Sequence, residues 1–91
     1  MKAAIITTFG APEVLEIQER EMPRILPTEV LIEVKAAGVN RPDIFQRKGN
    51  YAAPEGVAAD IPGLEVSGIV IAVGNQVRTL AVGHRVMALV S

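Results

Sequence analysis

The sequence predicts a mainly β fold, a small and partly open antiparallel barrel with one short helix. Five or six short stretches rich in β-branched residues are separated by glycines and prolines, and only one stretch has the residue order of a helix. The 91 residues suffice for one domain at most, and a composition that is 49% hydrophobic and 21% charged excludes a disordered chain.

The first two strands are predicted on either side of a turn. Residues 2–9 are apolar and β-branched and stop at the turn sequence GAPE, which predicts a buried strand. Residues 14–21 alternate between apolar and polar side chains, as in a half-buried strand. Residues 22–27 contain two prolines, which cannot donate to a strand ladder, so an extended loop follows.

Three further strands are predicted. Residues 28–40 alternate most regularly in the chain. Residues 64–74 form a strand interrupted by Gly68, which indicates a bulge or a close backbone approach. Residues 84–90 form the last strand. Because an apolar strand at the very end would leave an unpaired edge, we expect the chain to be part of a longer polypeptide.

The single helix, of two turns or so, is predicted within residues 41–49. Pro42 stands near its start and Asp43 in its first turn, whereas Arg47 and Lys48 stand in its last turn before Gly49. Acidic residues at the start, basic residues at the end and a glycine stop all suit the helix dipole and its ends.

The composition also excludes several classes of protein. The formal net charge of −1 gives no basic face for nucleic acid, and no apolar run approaches the roughly 20 residues of a membrane span. The absence of cysteine excludes disulfides and thiolate metal sites, which agrees with the cytoplasmic location that we expect. The one histidine, His84, reads as a solvated turn residue.

Five motifs then occur in order along nearly the whole chain, namely GAPEVLEI, EVLIEVKAAGVNRPD, GNY, IPGLEVSGIVIAVG and VGHRVMAL. Together they resemble the N-terminal GroES-like part of the medium-chain dehydrogenase/reductase superfamily, and in particular its zinc-free quinone oxidoreductases of the zeta-crystallin type. The resemblance implies that residues 1–91 are the GroES-like catalytic domain at the N-terminus of a longer two-domain enzyme. A Rossmann domain outside this chain would bind NADPH, since the chain has no G-x-G-x-x-G fingerprint.

The resemblance also bears on metal binding. In the zinc-dependent branch, a cysteine ends the strand that contains VKAAGV, and a histidine follows a glycine in a G-H-E motif. This sequence has Asn40 and Leu64 at those places. Asparagine is a poor zinc ligand, leucine cannot be one, and the single carboxylate of Glu65 does not make a catalytic site, which needs about three protein ligands. We therefore expect no zinc and no other metal.

Without zinc, hydride transfer to an electron-poor acceptor remains, so the expected substrate is a quinone or an enone. The resemblance assigns catalytic roles to Asn40, which would also contact the nicotinamide of the cofactor, and to Tyr51, which would lie beside the substrate. Each of the two residues could instead have a purely structural role. Asn40 is also a common helix cap, and Tyr51 could be a surface aromatic residue that packs over its loop.

The remaining candidates are expected to line the substrate pocket: Arg41, Pro42, Asp43, Phe45, Gly63 and Leu64. For Asp43, a capping role in the first helical turn is the stronger interpretation. For Phe45, packing in the core is favoured over a place in the pocket wall.

The expected function is that of an NADPH-dependent quinone oxidoreductase, with a homodimeric parent enzyme and an inactive isolated segment. Two alternatives stay open at this point. The chain could belong to an enoyl-thioester reductase of the same superfamily, or to a non-enzymatic binding module built on the GroES-like fold.

Overall fold

The computed structural model of the protein describes residues 1–53 and 58–90. Five β-strands, one α-helix and one turn of 3₁₀-helix occur in these residues, and no peptide bond among them is cis. In chain order they are β1 (Lys2–Ile6), the 3₁₀ turn (Pro12–Val14), β2 (Leu15–Glu19), β3 (Val30–Ala37), α1 (Arg41–Lys48), β4 (Glu65–Val73) and β5 (Arg85–Leu89).

The chain divides into two compact units, each with its own antiparallel sheet. The helix unit comprises Met1–Glu21, Gly38–Leu64 and Val90, and it contains α1 and the pair β1–β2. The sheet unit comprises Met22–Ala37 and Glu65–Leu89, with the strand order β3-β4-β5. In the part of the chain that the structure describes, neither sheet closes on itself. The prediction of a mainly β, partly open antiparallel fold with one short helix is confirmed.

In the helix unit, β1 is shorter than its apolar sequence predicts. The strand ends at Ile6 because Thr7 starts a closed loop, where its backbone N–H and its side-chain hydroxyl both donate to the Val14 carbonyl, at 3.0 and 2.6 Å. Ile5 and Ile6 are buried, as the sequence predicts for this strand. On β2 the alternation does not lead to burial, since Ile17 is 70% exposed.

In the sheet unit, Gly68 allows two strands to approach closely. A Cβ atom at Gly68 would overlap the carbonyl oxygen of Glu33 on the neighbouring strand β3. The predicted close approach at Gly68 is confirmed, and β4 runs continuously through this residue. The pairing of β3 with β4 has two register shifts, one that leaves Ile71 over in β4 and one in β3. There Lys35 is left over between the pairs Val34–Gly68 and Ala36–Ser67, as in a β-bulge.

A polar contact fastens the segment after the α1 loop to the end of β2. The Arg20 guanidinium donates to the Asp60 carboxylate at 2.5 Å, and the backbone carbonyl of Asp60 accepts from the Ile6 N–H at 2.8 Å. The hydrogen bond and the charge of Arg20 hold the pKa of Asp60 below its usual value. This pair belongs entirely to the helix unit and joins its sheet to its loop.

No helix in the described part of the chain is long and apolar enough to cross a membrane.

We predict that Gly68→Ala destabilises the protein more than Gly83→Ala. The added Cβ at Gly68 would meet the Glu33 backbone, so overpacking should cost about 3 kcal/mol in the free energy of unfolding. At Gly83 the Cβ has open space, and only the φ of 96° is unfavourable, which should cost about 1 kcal/mol. Urea unfolding of the two variants measures both values, and equal losses would contradict the close approach at Gly68.

We predict that Asp60→Asn lowers the melting temperature at pH 7 and that this difference from the wild type becomes smaller as the pH falls toward 3. Because the folded state depresses the pKa of Asp60, the contact with Arg20 stabilises the protein above the ordinary aspartate pKa of about 3.9 and is lost as the pH falls below it. Thermal melts of both proteins from pH 7 to pH 3 measure this difference. Glu33→Gln removes an exposed carboxylate as a control, and a difference that stays constant with pH would contradict the role of Asp60.

Candidate functional site

The N-terminus of α1 holds Asn40 in a fixed backbone position. Asn40 is the residue before the helix, with extended φ and ψ of −129° and 164°. Its N–H donates to the Asp43 carboxylate at 2.8 Å, and its carbonyl accepts from the Asp43 N–H at 3.0 Å. The capping interpretation of Asp43 is therefore supported, and the same bonds orient the backbone from which the Asn40 side chain extends.

Asp43 has one carboxylate oxygen that the cap does not use. Its Oδ1 atom is buried and has no hydrogen-bond partner among the described residues, whereas Oδ2 accepts from Asn40. A buried acceptor without a partner costs free energy. The N-terminus of α1 thus carries an unsatisfied acceptor directly beside the residue expected to contact the cofactor.

The C-terminus of α1 positions the loop that carries Tyr51. Gly49 ends the helix with a φ of 88°, a conformation that favours glycine, and its N–H bonds to carbonyls of the last turn. The Asn50 N–H donates to the Phe45 carbonyl at 2.7 Å. Tyr51 follows directly and its side chain is exposed, so its ring and hydroxyl are accessible in the chain.

Asn40 and Tyr51 lie at opposite ends of α1. The helix has eight residues, which corresponds to about 12 Å along its axis at 1.5 Å per residue. A ligand that contacts both side chains would have to extend along the helix. That the two residues share one substrate stays a prediction.

In the middle of α1, the Phe45 side chain is more exposed than predicted. It is 39% exposed, whereas the neighbouring Gln46 is only 5% exposed. The expectation that Phe45 packs in the core is wrong, because α1 turns Gln46 inward, where the side-chain amide donates to the Ala59 carbonyl at 3.0 Å. A hydrogen bond to the loop, rather than apolar contact, thus sets which side of the helix is buried.

The other pocket candidates are placed as follows. Arg41 is exposed and Pro42 half-buried in the first turn of α1. Gly63 has a φ of 123°, and a Cβ built on it would meet nothing within 4 Å. Leu64 is half-buried, and its carbonyl accepts from the Val90 N–H at 2.7 Å. Open space beside the Gly63 backbone is what a close approach by a ligand would require.

The residues in the described part of the chain do not fit a zinc site. No group of three or more histidine, cysteine, aspartate or glutamate side chains there could hold a metal ion. Glu65 is exposed at the start of β4. His84 is exposed in the turn before β5, and its Nδ1 accepts from the Ala81 N–H at 3.3 Å, which agrees with the prediction of a turn residue.

Sequence reasoning missed two features of this region. Gln46 stands three residues after Asp43, so both share one side of α1, and that spacing was the available signal. Phe9 was not singled out either, yet its ring lies against the helix end, only 2.9 Å from where a Cβ of Gly49 would be. Glycine at position 49 is therefore required by both the φ angle and the neighbouring ring.

Similar proteins identify the family of this fold. The family model for the alcohol dehydrogenase GroES-like domain matches residues 26–91. The chain is 38% identical over its full length to the mouse synaptic vesicle membrane protein VAT-1 homolog-like, of which it spans 22%. It is 36% identical, again over its full length, to the chloroplastic NADPH-dependent alkenal/one oxidoreductase of Arabidopsis thaliana, of which it spans 24%. Over 94% of the chain it is 40% identical to the quinone oxidoreductase of Lama guanicoe, of which it spans 26%.

Solved structures agree with these relatives. The human VAT-1 homolog-like protein superimposes with a TM-score of 0.87 at 37% identity, over 99% of this chain and 29% of that one. A cobalt- and zinc-bound thermostable alcohol dehydrogenase from Pyrobaculum aerophilum superimposes with a TM-score of 0.83 at 40% identity, over 96% of this chain and 25% of that one. The chain thus spans about a quarter of the length of these proteins, and it belongs to the alcohol dehydrogenase GroES-like domain family of the medium-chain dehydrogenase/reductase superfamily.

Proposed function

We propose that this chain is the catalytic GroES-like domain of an NADPH-dependent quinone oxidoreductase that transfers hydride to a quinone or a conjugated carbonyl without zinc. In this proposal residues 1–91 are the N-terminal part of a two-domain enzyme, and NADPH is bound mainly by a Rossmann domain outside the chain. One observation carries this proposal. At the two positions that the resemblance assigns to zinc ligands, this chain has Asn40 and Leu64.

The chemistry of the acceptor supports this choice. An alcohol dehydrogenase uses its metal to polarise a carbonyl oxygen, and the described residues provide no ligand set for a metal. A quinone or an enone spreads the incoming negative charge over its own conjugated system. Hydrogen-bond donors near its oxygen are then sufficient to stabilise that charge without a metal. Two relatives that this chain matches are named for substrates of this kind, a quinone and an alkenal or alkenone.

Asn40 is the residue of this chain that fits the nicotinamide. When bound, NADPH supplies the hydride. The amide of Asn40 offers both a donor and an acceptor, which match a carboxamide or an acceptor oxygen. Its backbone is held by Asp43 through bonds of 2.8 and 3.0 Å, so the side chain starts from a fixed point and needs little reorganisation when it binds.

Tyr51 suits the substrate itself. Its ring provides an apolar face for stacking on a planar acceptor, and its hydroxyl provides one donor. Because Tyr51 follows the far end of α1 from Asn40, we assign it to the binding and orientation of the acceptor and Asn40 to the hydride-transfer end. Arg41, Pro42, Phe45 and the Gly63–Leu64 backbone complete the proposed pocket.

A second candidate is favoured by one specific observation. The chain is 40% identical to a thermostable alcohol dehydrogenase whose structure holds cobalt and zinc. Alcohol oxidation would need metal ligands beyond those in the described residues, so its expected signature is a loss of activity on metal removal.

An enoyl-thioester reductase is distinguished by its substrate, and a non-enzymatic binding module by the absence of turnover. The homodimeric parent enzyme and its cytoplasmic location stay predictions.

We predict that the full-length protein oxidises NADPH with a quinone or an enone as acceptor, and that a strong chelator leaves the rate unchanged. The proposed hydride transfer involves no metal, so chelation removes nothing from the site. Absorbance of NADPH measures the rate, as its decrease with quinones, enones or enoyl thioesters as hydride acceptors and as its formation from NADP⁺ with primary alcohols as hydride donors. Loss of the rate after chelation, or turnover of alcohols alone, would favour the alcohol dehydrogenase candidate.

We predict that Asn40→Ser and Tyr51→Phe affect different kinetic constants of the full-length protein. Serine also caps a helix but cannot reach as far as asparagine, so kcat should fall about 100-fold, as for one lost transition-state donor, while the melting temperature is kept. Phenylalanine keeps the ring and removes the hydroxyl, so the KM for the acceptor should rise about fivefold with kcat unchanged. Steady-state kinetics of both variants measure these values, and unchanged constants in Asn40→Ser would contradict its catalytic role.

A further inference from the structure

Three hydrogen bonds converge on the two residues Ala59 and Asp60. The side-chain amide of Gln46 donates to the Ala59 carbonyl at 3.0 Å, and the Ile6 N–H donates to the Asp60 carbonyl at 2.8 Å. The Arg20 guanidinium donates to the Asp60 carboxylate at 2.5 Å. The helix, the strand β1 and the residue after β2 therefore all hold the same point of the loop.

Gln46 is the unusual member of this group, because it is the polar side chain that the helix unit buries. It is 5% exposed, and a buried amide is costly unless its hydrogen bonds are made. Its N–H group meets the Ala59 carbonyl, which lies 13 positions further along the chain. The bond joins the side of α1 to the loop, so it fixes the position of Ala59 relative to the helix.

The segment held in this way, residues 58–64, leads directly to the proposed pocket. Its other end is held by the bond from the Val90 N–H to the Leu64 carbonyl at 2.7 Å. Gly63 lies between the two fixed points with open space beside it. Gly63 thus lies between Ala59, which is held by α1, and Leu64, which is held by Val90.

We propose that Gln46 is a positioning residue, which holds residues 58–64 against α1 so that Gly63 and Leu64 form the wall of the acceptor pocket. The role of this wall rests on the proposed function, whereas the anchoring of the segment does not. Loss of the Gln46 bond removes the contact between α1 and Ala59 and weakens the bond from the Ile6 N–H to the adjacent Asp60 carbonyl, while the bond at Leu64 stays. The segment then shifts without unfolding, and the binding of the acceptor weakens.

Two substitutions separate the hydrogen bond from the volume of the side chain. Gln46→Met keeps a long side chain but removes the donor at every pH. Gln46→Glu keeps the shape and restores a donor only when its carboxyl group is protonated. Burial and the neighbouring carbonyl favour the neutral form of this glutamate and raise its pKa, so the bond is present at low pH and is lost as the pH rises through that pKa.

The test measures steady-state kinetics of the full-length enzyme between pH 5.5 and 8.5, with 1,4-benzoquinone as acceptor. We expect the KM for benzoquinone to rise about fivefold in Gln46→Met at every pH, the size of one lost hydrogen bond, with the KM for NADPH unchanged. In Gln46→Glu the same rise should appear only toward high pH. Gln76→Glu is the matched control, since Gln76 is exposed and its side chain makes no hydrogen bond within the described residues.

Amide hydrogen exchange on the same proteins provides a readout that does not depend on turnover. The N–H groups of Ile6 and Ile61 bond to the anchored segment, at 2.8 and 3.5 Å, and both should exchange faster in Gln46→Met. Unchanged exchange, or faster exchange with an unchanged KM for benzoquinone, would overturn the proposal. If the wild-type enzyme does not reduce quinones, the proposed function fails, and the exchange rates alone decide whether Gln46 anchors the segment.

Discussion

The candidate site depends on how a helix of only eight residues is held in place. Isolated helices shorter than about 12 residues are marginal in water, so α1 needs contacts at its ends and side. Asp43 bonds to Asn40 at the N-terminus, and Gly49 closes the C-terminus. Gly10 exchanges two bonds of 2.9 Å with Arg47, one with its carbonyl and one with its Nε. Asn40 takes part in the first of these contacts, and Tyr51 lies two residues after Gly49.

Hydrogen bonds, rather than buried apolar side chains, hold the helix unit together. Among the described residues of the helix unit only Ile5 and Ile6 are buried apolar side chains, so little apolar area is available to fix the helix. Large apolar side chains of this unit such as Ile17 and Val39 are exposed. Specific hydrogen bonds, at Ala59 and Asp60 above all, therefore carry the geometry.

The family hosts more than one chemistry on this fold, so function has to be argued from the site. Relatives of similar identity are named as quinone oxidoreductases and as alcohol dehydrogenases. The proposed function rests on two positions, Asn40 and Leu64, which the resemblance assigns to zinc ligands in the metal-dependent branch. Asparagine is a poor zinc ligand and leucine is none, whereas the amide of Asn40 can hydrogen-bond to a conjugated acceptor. The proposed function rests on these two residues together with the open space beside the Gly63 backbone.

The sequence by itself determined the features that depend on neighbouring residues. The helix over residues 41–48, its acidic start and its glycine end were predictable, because Asp43 and Gly49 act within one turn of the helix. The strands were predictable from their residue patterns. The end of β1 before Thr7 and the bulge at Lys35 in β3 were not, since both depend on bonds to distant positions. Only the tertiary structure decided that Gln46 is buried and Phe45 exposed. The reason is that the partner of Gln46, the Ala59 carbonyl, is brought to the helix by contacts from β1 and Arg20, which no local pattern in the helix records.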